Sequence, residues 1–174
     1  ISCAETGFNE KVSTDLEGLS PEISDLPIYN SNDELLKYKV TELGELNEDG
    51  TYSLPYKYNK PKSVTVTLNS DTVVFANIKN TLKTGSVKLT KTDGTKALTG
   101  SGWQLYKSDD TPISCYQTGS ETYMYNSVAK TATDYMATNG SLSISNLPVG
   151  DYYFIESVTP SGYMPYGKKV EFTI

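Results

Sequence analysis

Four short blocks of this 174-residue chain occur twice, in the same order. Ile1-Ser2-Cys3-Ala4-Glu5-Thr6-Gly7 returns as Ile113-Ser114-Cys115-Tyr116-Gln117-Thr118-Gly119. Ser24-Asp25-Leu26-Pro27 returns as Ser145-Asn146-Leu147-Pro148. Tyr38-Lys39-Val40-Thr41-Glu42 returns as Tyr152-Tyr153-Phe154-Ile155-Glu156, and Lys62–Leu68 returns as Lys168–Ile174. A period close to the size of a small domain means tandem domains rather than solenoid coils. The copies are cut differently. Copy one has no counterpart of Gly85–Pro112, and copy two none of Asn69–Asn80. The expectation is a segment that starts inside one domain, ends inside the next and continues in both directions. The split is expected in Thr81–Thr84.

Strand signals dominate. Candidate strands are Lys37–Glu42, Ser63–Leu68, Thr72–Ile78, Ser86–Thr92, Trp103–Lys107, Ser141–Ser145, Tyr152–Val158 and Lys169–Ile174. Turn dipeptides separate them: Asp49-Gly50, Asp93-Gly94, Asn139-Gly140, Val149-Gly150 and Ser161-Gly162. Many short strands at such spacing predict an all-β chain of antiparallel sandwiches. Glu10–Gly18 and Gly119–Ala137 carry no clear period.

The strand Tyr152–Val158 poses the first chemical question. Tyr152, Phe154, Glu156 and Val158 share one of its faces, because strand side chains alternate. If that face is the core, a carboxyl lies among apolar groups and must be neutral or paired. If the other face is buried, Glu156 is simply solvated.

Composition narrows the partners. The net charge is −6 and there is no histidine. An acidic chain without basic clusters is a poor binder of nucleic acid or anionic membrane. No apolar run has the length of a membrane span. With no His and two Cys, a zinc site is not expected, nor is any cofactor.

Several stretches then carry a family resemblance. Gly85–Gly94, Leu98-Thr99-Gly100, Trp103–Tyr106, Leu147–Tyr152 and the run from Glu156 through Pro160 to Gly162-Tyr163 resemble a SpaA-like prealbumin-fold domain. Leu26-Pro27, Tyr38–Glu42 and Val74–Asn77 resemble the related Cna B-type domain, although Glu42 is followed by Leu43-Gly44-Glu45 rather than by a proline. The resemblance implies two tandem prealbumin-like, inverse immunoglobulin-like sandwiches, residues 1–82 and 83–174, each short of some strands. It also implies stalk domains of a Gram-positive surface adhesin or pilin, extracellular and anchored to the cell wall outside this segment. The expected partners are flanking domains of the same protein.

Such domains often hold an autocatalytic isopeptide bond, in which a lysine on the first strand attacks an Asn or Asp on the last, helped by a glutamate. The amine must be uncharged to attack, and the carboxyl must be protonated to polarise the amide. Burial favours both states. Parity tests which residues qualify. Val87, Leu89 and Lys91 share a face, so Lys91 is the inward lysine. Tyr38, Val40 and Glu42 share another. Val73, Phe75 and Asn77 share a third, which selects Asn77 over Asn80. The resemblance thus assigns Lys91 with Glu156, and Glu42 with Asn77, the lysine of the second set lying before Ile1. Neither set is complete within residues 1–174. The alternatives are ordinary: a snorkelling lysine, glutamates that cap loops, an end-of-strand asparagine.

Cys3 and Cys115 hold equivalent places in the two copies. Disulfide Cα atoms lie within about 7 Å, far less than the width of a domain, so these thiols are not expected to pair. Cys115 with Gln117 does not have the spacing of the thioester domains of similar adhesins.

Two functional classes follow. One is structural: a stalk stiffened by cross-links that constrain the chain much as disulfides do. The other is a binding module for a host matrix protein or glycan, using tyrosines of Gly119–Tyr135, since Tyr joins a rigid apolar face to a polar tip. No nucleophile–base–orienter set is visible, so an enzyme acting on outside substrates is not expected.

Overall fold

The computed structural model describes residues 1–13, 21–70, 72–125, 127–128 and 133–174. It divides into two compact units, Ile1–Thr81 and Leu82–Ile174. Among the described residues there are strands and no helix, so no helix is long and apolar enough to cross a membrane. Residues 14–18 of the aperiodic stretch Glu10–Gly18, and residues 126 and 129–132 of Gly119–Ala137, lie outside the described residues.

The first unit contains β1 (Ser2–Cys3), β2 (Phe8–Asn9), β3 (Lys37–Val40), β4 (Glu45–Leu46), β5 (Tyr52–Ser53), β6 (Tyr58–Asn59) and β7 (Val64–Thr67). Four of these form an antiparallel sheet in the order β2-β1-β3-β7. β4 and β5 form a hairpin around the expected Asp49-Gly50 turn. A small core gathers Cys3, Leu36 and Tyr38, flanked by Ile1, Phe8, Leu26, Val66 and Leu68. Phe8 meets Tyr38 edge to face at 6.1 Å.

β8 (Thr81–Leu82) spans the division between the units. The second unit contains β9 (Thr84–Thr90), β10 (Ser101–Lys107), β11 (Cys115–Gly119), β12 (Thr122–Tyr125), β13 (Tyr135–Ala137), β14 (Ser141–Pro148), β15 (Asp151–Val158) and β16 (Val170–Thr173). They make two four-stranded sheets, β13-β10-β15-β16 and β11-β12-β14-β9. Trp103, Leu105, Tyr152 and Phe154 of the first sheet share one core with Tyr123, Leu142, Ile144 and Leu147 of the second. Each such side chain, fully buried, contributes about 1.5–3 kcal/mol. The core therefore settles which face of β15 is inside: Phe154 is fully buried and Ile155 is exposed.

The two units repeat in detail. Tyr38 faces Val66 across β3 and β7, and Tyr152 faces Phe172 across β15 and β16. The Tyr38 hydroxyl donates to the Pro27 carbonyl at 2.7 Å, and the Tyr152 hydroxyl donates to the Pro148 carbonyl at the same distance. Asp25 and Asn146, two residues before those prolines, have φ of 60° and 62°. Asn and Asp adopt this left-handed region more readily than other non-glycine residues.

Three expectations need correction. Thr72–Ile78 forms no strand: among its described residues no ladder partner is found. The sheets are not wholly antiparallel, because β12 runs parallel to β14. The tyrosines of Gly119–Tyr135 are not exposed, and Tyr125 is half-buried. Tyr123 is 7% exposed and Tyr135 fully buried, each drawn into the core by its large apolar ring. Their hydroxyls keep backbone partners: Tyr135 donates to Ile113 O at 2.6 Å, and Tyr123 accepts from the Met136 N–H at 3.0 Å.

Candidate functional site

Lys91 follows the last residue of β9. Val87 and Leu89 are half-buried and Lys88 and Thr90 exposed, so alternation carries the Lys91 side chain inward. Its backbone is fixed from two sides. The Lys91 N–H donates to Gly140 O at 3.0 Å, and the Leu98 N–H donates to Lys91 O at 2.8 Å. Glu156 lies on β15, opposite Trp103 of β10.

The two side chains meet. Lys91 Nζ stands 3.0 Å from Glu156 Oε1, with side-chain exposures of 13% and 0%. The Nζ also lies over two rings, 5.6 Å from the Trp103 centroid and 5.4 Å from that of Tyr166. The other carboxyl oxygen, Oε2, accepts from the Tyr166 N–H at 2.6 Å. Among the described residues no well-aligned hydrogen bond reaches Oε1. The amine is thus in ion-pair range of an oxygen whose hydrogen-bonding capacity is unfilled. A single proton transfer across that gap would yield an uncharged amine beside a protonated carboxyl.

In the first unit the arrangement is more open. Glu42 is half-buried, and its Oε1 accepts from Asn80 Nδ2 at 3.1 Å. Asn77 is exposed, as are Val73 and Phe75. The expected phase of this segment is therefore inverted: Val74, Ala76 and Ile78 are the half-buried residues. Both phases carry apolar side chains, so alternation alone could not choose between them, and a slip of one residue reverses every side chain. Asn80, set aside on parity, is the asparagine that Glu42 holds.

Parity did not disclose Tyr163, Tyr166 or Asp93. The Tyr163 hydroxyl donates to Asp93 Oδ2 at 3.0 Å. Asp93 also accepts from Thr95 and Lys96 backbone N–H groups and from the Thr95 hydroxyl, which hold its carboxyl well below the usual carboxylate range. The turn dipeptides Asp93-Gly94 and Ser161-Gly162 marked both loops in the sequence, but nothing there joined them.

Elsewhere the chemistry is limited. Both cysteines are free thiols, Cys3 buried and Cys115 half-buried, and burial raises the Cys115 thiol. Among the described residues no group of three or more His, Cys, Asp or Glu could hold a metal. A shallow cavity of about 340 Å³ in the second unit is lined by Lys107, Ile113, Ser114 and Tyr125 among others, well away in sequence from Lys91 and Glu156.

A family model described as SpaA, prealbumin-like fold domain, matches residues 85–174. No curated protein matches the chain. Solved structures with similarity include a group B streptococcus pilus 2b backbone protein, 22% identical over 71% of this chain, TM-score 0.43. The shaft pilin SpaA of Lactobacillus rhamnosus GG is 17% identical over 85% of this chain, TM-score 0.42. A minor pilin of Streptococcus agalactiae is 23% identical over 87% of it, TM-score 0.42. The chain spans 43%, 65% and 56% of those three proteins.

Proposed function

We propose, for a chain that belongs to the SpaA family of prealbumin-like fold domains, a structural role as stalk domains of a Gram-positive surface protein of the pilin or adhesin kind, stiffened by intramolecular isopeptide bonds. The observation that carries the reading is Lys91 Nζ at 3.0 Å from the fully buried carboxyl of Glu156.

The reaction runs as follows. Glu156 takes a proton from the Lys91 ammonium, leaving a neutral amine in an apolar pocket. The amine nitrogen attacks the side-chain carbonyl carbon of an Asn or Asp, and a new C–N bond forms. Glu156 gives that proton to the leaving group as general acid and takes up the second proton that the attacking nitrogen sheds as it becomes an amide. Ammonia departs from Asn, or water from Asp, so atoms balance without an oxidant or cofactor. In the first unit Glu42 fills the glutamate's place and Asn80 supplies the amide, in place of Asn77.

A tie between first and last strands stops the chain from extending under load and reduces the entropy of the unfolded chain, in the manner of a disulfide. The test is peptide mapping by mass spectrometry of the natural surface protein. A branched peptide joining Lys91 to an Asn or Asp, lighter by one ammonia or one water, supports the proposal. Lys91 recovered only as an unmodified linear peptide would end it.

A further inference from the structure

We infer that residues 160–167 form a strap over the Lys91–Glu156 pair, that Tyr163 latches it on Asp93, and that the latched strap shields the amine from solvent. This rests on the reading of Lys91 and Glu156 as the reactive pair. It adds two positioning residues that touch neither reacting partner through their own chemistry.

The strap begins at Pro160, two residues past the end of β15, and reaches back to the site through Tyr166. Its backbone N–H at Tyr166 donates to Glu156 Oε2 at 2.6 Å. That bond occupies Oε2 and leaves Oε1 for the amine. The ring of the same residue lies 5.4 Å from Lys91 Nζ. Tyr166 therefore contacts both members of the pair at once.

What holds the strap there is remote in sequence. Tyr163 donates to Asp93, a residue 70 positions earlier and two beyond Lys91. Asp93 is a stiff anchor, because three further bonds from Thr95 and Lys96 fix its carboxylate. The strap also contains two left-handed glycines, Gly162 with φ of 83° and Gly167 with φ of 64°. They turn the chain at each end of Tyr163–Tyr166. Tyr163 and Tyr166 are 41% and 49% exposed, so the strap is one layer thick with water outside it. Beneath it the Lys91 side chain is only 13% exposed. Lifting this layer would open the pair to solvent, while the core, packed between the two sheets, stays closed.

The test is amine acetylation of the folded chain with an N-hydroxysuccinimide ester, followed by peptide mapping. It reads shielding whether or not Lys91 ever forms a cross-link. Lys88, exposed on β9 three residues before Lys91, is the internal reference. Wild-type Lys91 is expected to label far more slowly than Lys88. Tyr163→Phe removes the latch hydroxyl alone and is expected to raise the Lys91-to-Lys88 ratio by about threefold to tenfold, the shift in local opening that one lost hydrogen bond gives. Tyr166→Ala keeps the N–H and removes the ring, and should raise the ratio as well. Equal labelling of the two lysines in wild type, or an unchanged ratio in Tyr163→Phe, overturns the latch. So does a rise that merely tracks global unfolding followed by Trp103 fluorescence.

Discussion

Lys91 and Glu156 form an ion pair at 3.0 Å in which the carboxyl is wholly removed from water. Removing one partner of a buried pair leaves an uncompensated charge and costs about 3–5 kcal/mol, whereas replacing both by apolar groups is often neutral. Lys91→Met is therefore expected to destabilise the second unit by that order, and Lys91→Met with Glu156→Leu to restore most of the loss. The protein's single tryptophan, Trp103, is 2% exposed in the second unit. Urea unfolding followed by its fluorescence reads this unit. A double variant no more stable than the single one would contradict the paired-charge account.

The two tyrosine-to-proline hydrogen bonds give a matched pair of predictions. Tyr38→Phe and Tyr152→Phe each remove a hydroxyl that donates at 2.7 Å to a carbonyl of the Leu-Pro segment. Each should cost about 1 kcal/mol, the ordinary net worth of such a bond. Trp103 fluorescence should register the loss in Tyr152→Phe. The Tyr38→Phe loss should appear in the circular-dichroism transition of the first unit. A cost confined to one copy would mean that the structural repeat is not an energetic one.

Acid sensitivity should run partly through Asp93. Its folded carboxyl is held below the usual range, first by backbone N–H bonds from Lys96 and Thr95, then by the Thr95 hydroxyl, with the Tyr163 hydroxyl a smaller contributor. A depressed carboxyl gives stability that is fully present above its unfolded value of about 3.9 and is lost as pH falls toward the folded value. The urea midpoint of wild type should drop as pH falls below about 4. Asp93→Asn should drop less, because its side chain does not titrate. Parallel drops in the two proteins would remove Asp93 from the account.

The thiols should be slow. Cys3 is 1% exposed, and burial raises Cys115, which keeps it from the reactive thiolate form at neutral pH. A thiol reagent such as DTNB should find almost no reaction in the folded chain and two equivalents in denaturant. One fast-reacting thiol in the native protein would contradict the burial of that cysteine.

Alternation along Val87, Leu89 and Lys91 marked Lys91 as inward, whereas for Glu156 it left two faces open, and the burial of Phe154 in the core chose between them. The repeat aligned Tyr38 with Tyr152, and the ladders give both the same relation to the following strand. The segment from Val73 to Asn80 lacks that support. Both of its phases are apolar and no ladder pins it, so packing alone chose Val74, Ala76 and Ile78 and brought Asn80 to Glu42. Tyr123 and Tyr135 read as surface residues by composition, but their rings fill the space between two sheets that no local pattern describes. The strands, the turns and the repeat were thus set by local backbone chemistry and written in the sequence, while core packing chose the inner face of β15. The strap, the latch on Asp93 and the choice of Asn80 join residues far apart in the chain, and only the folded packing determines them.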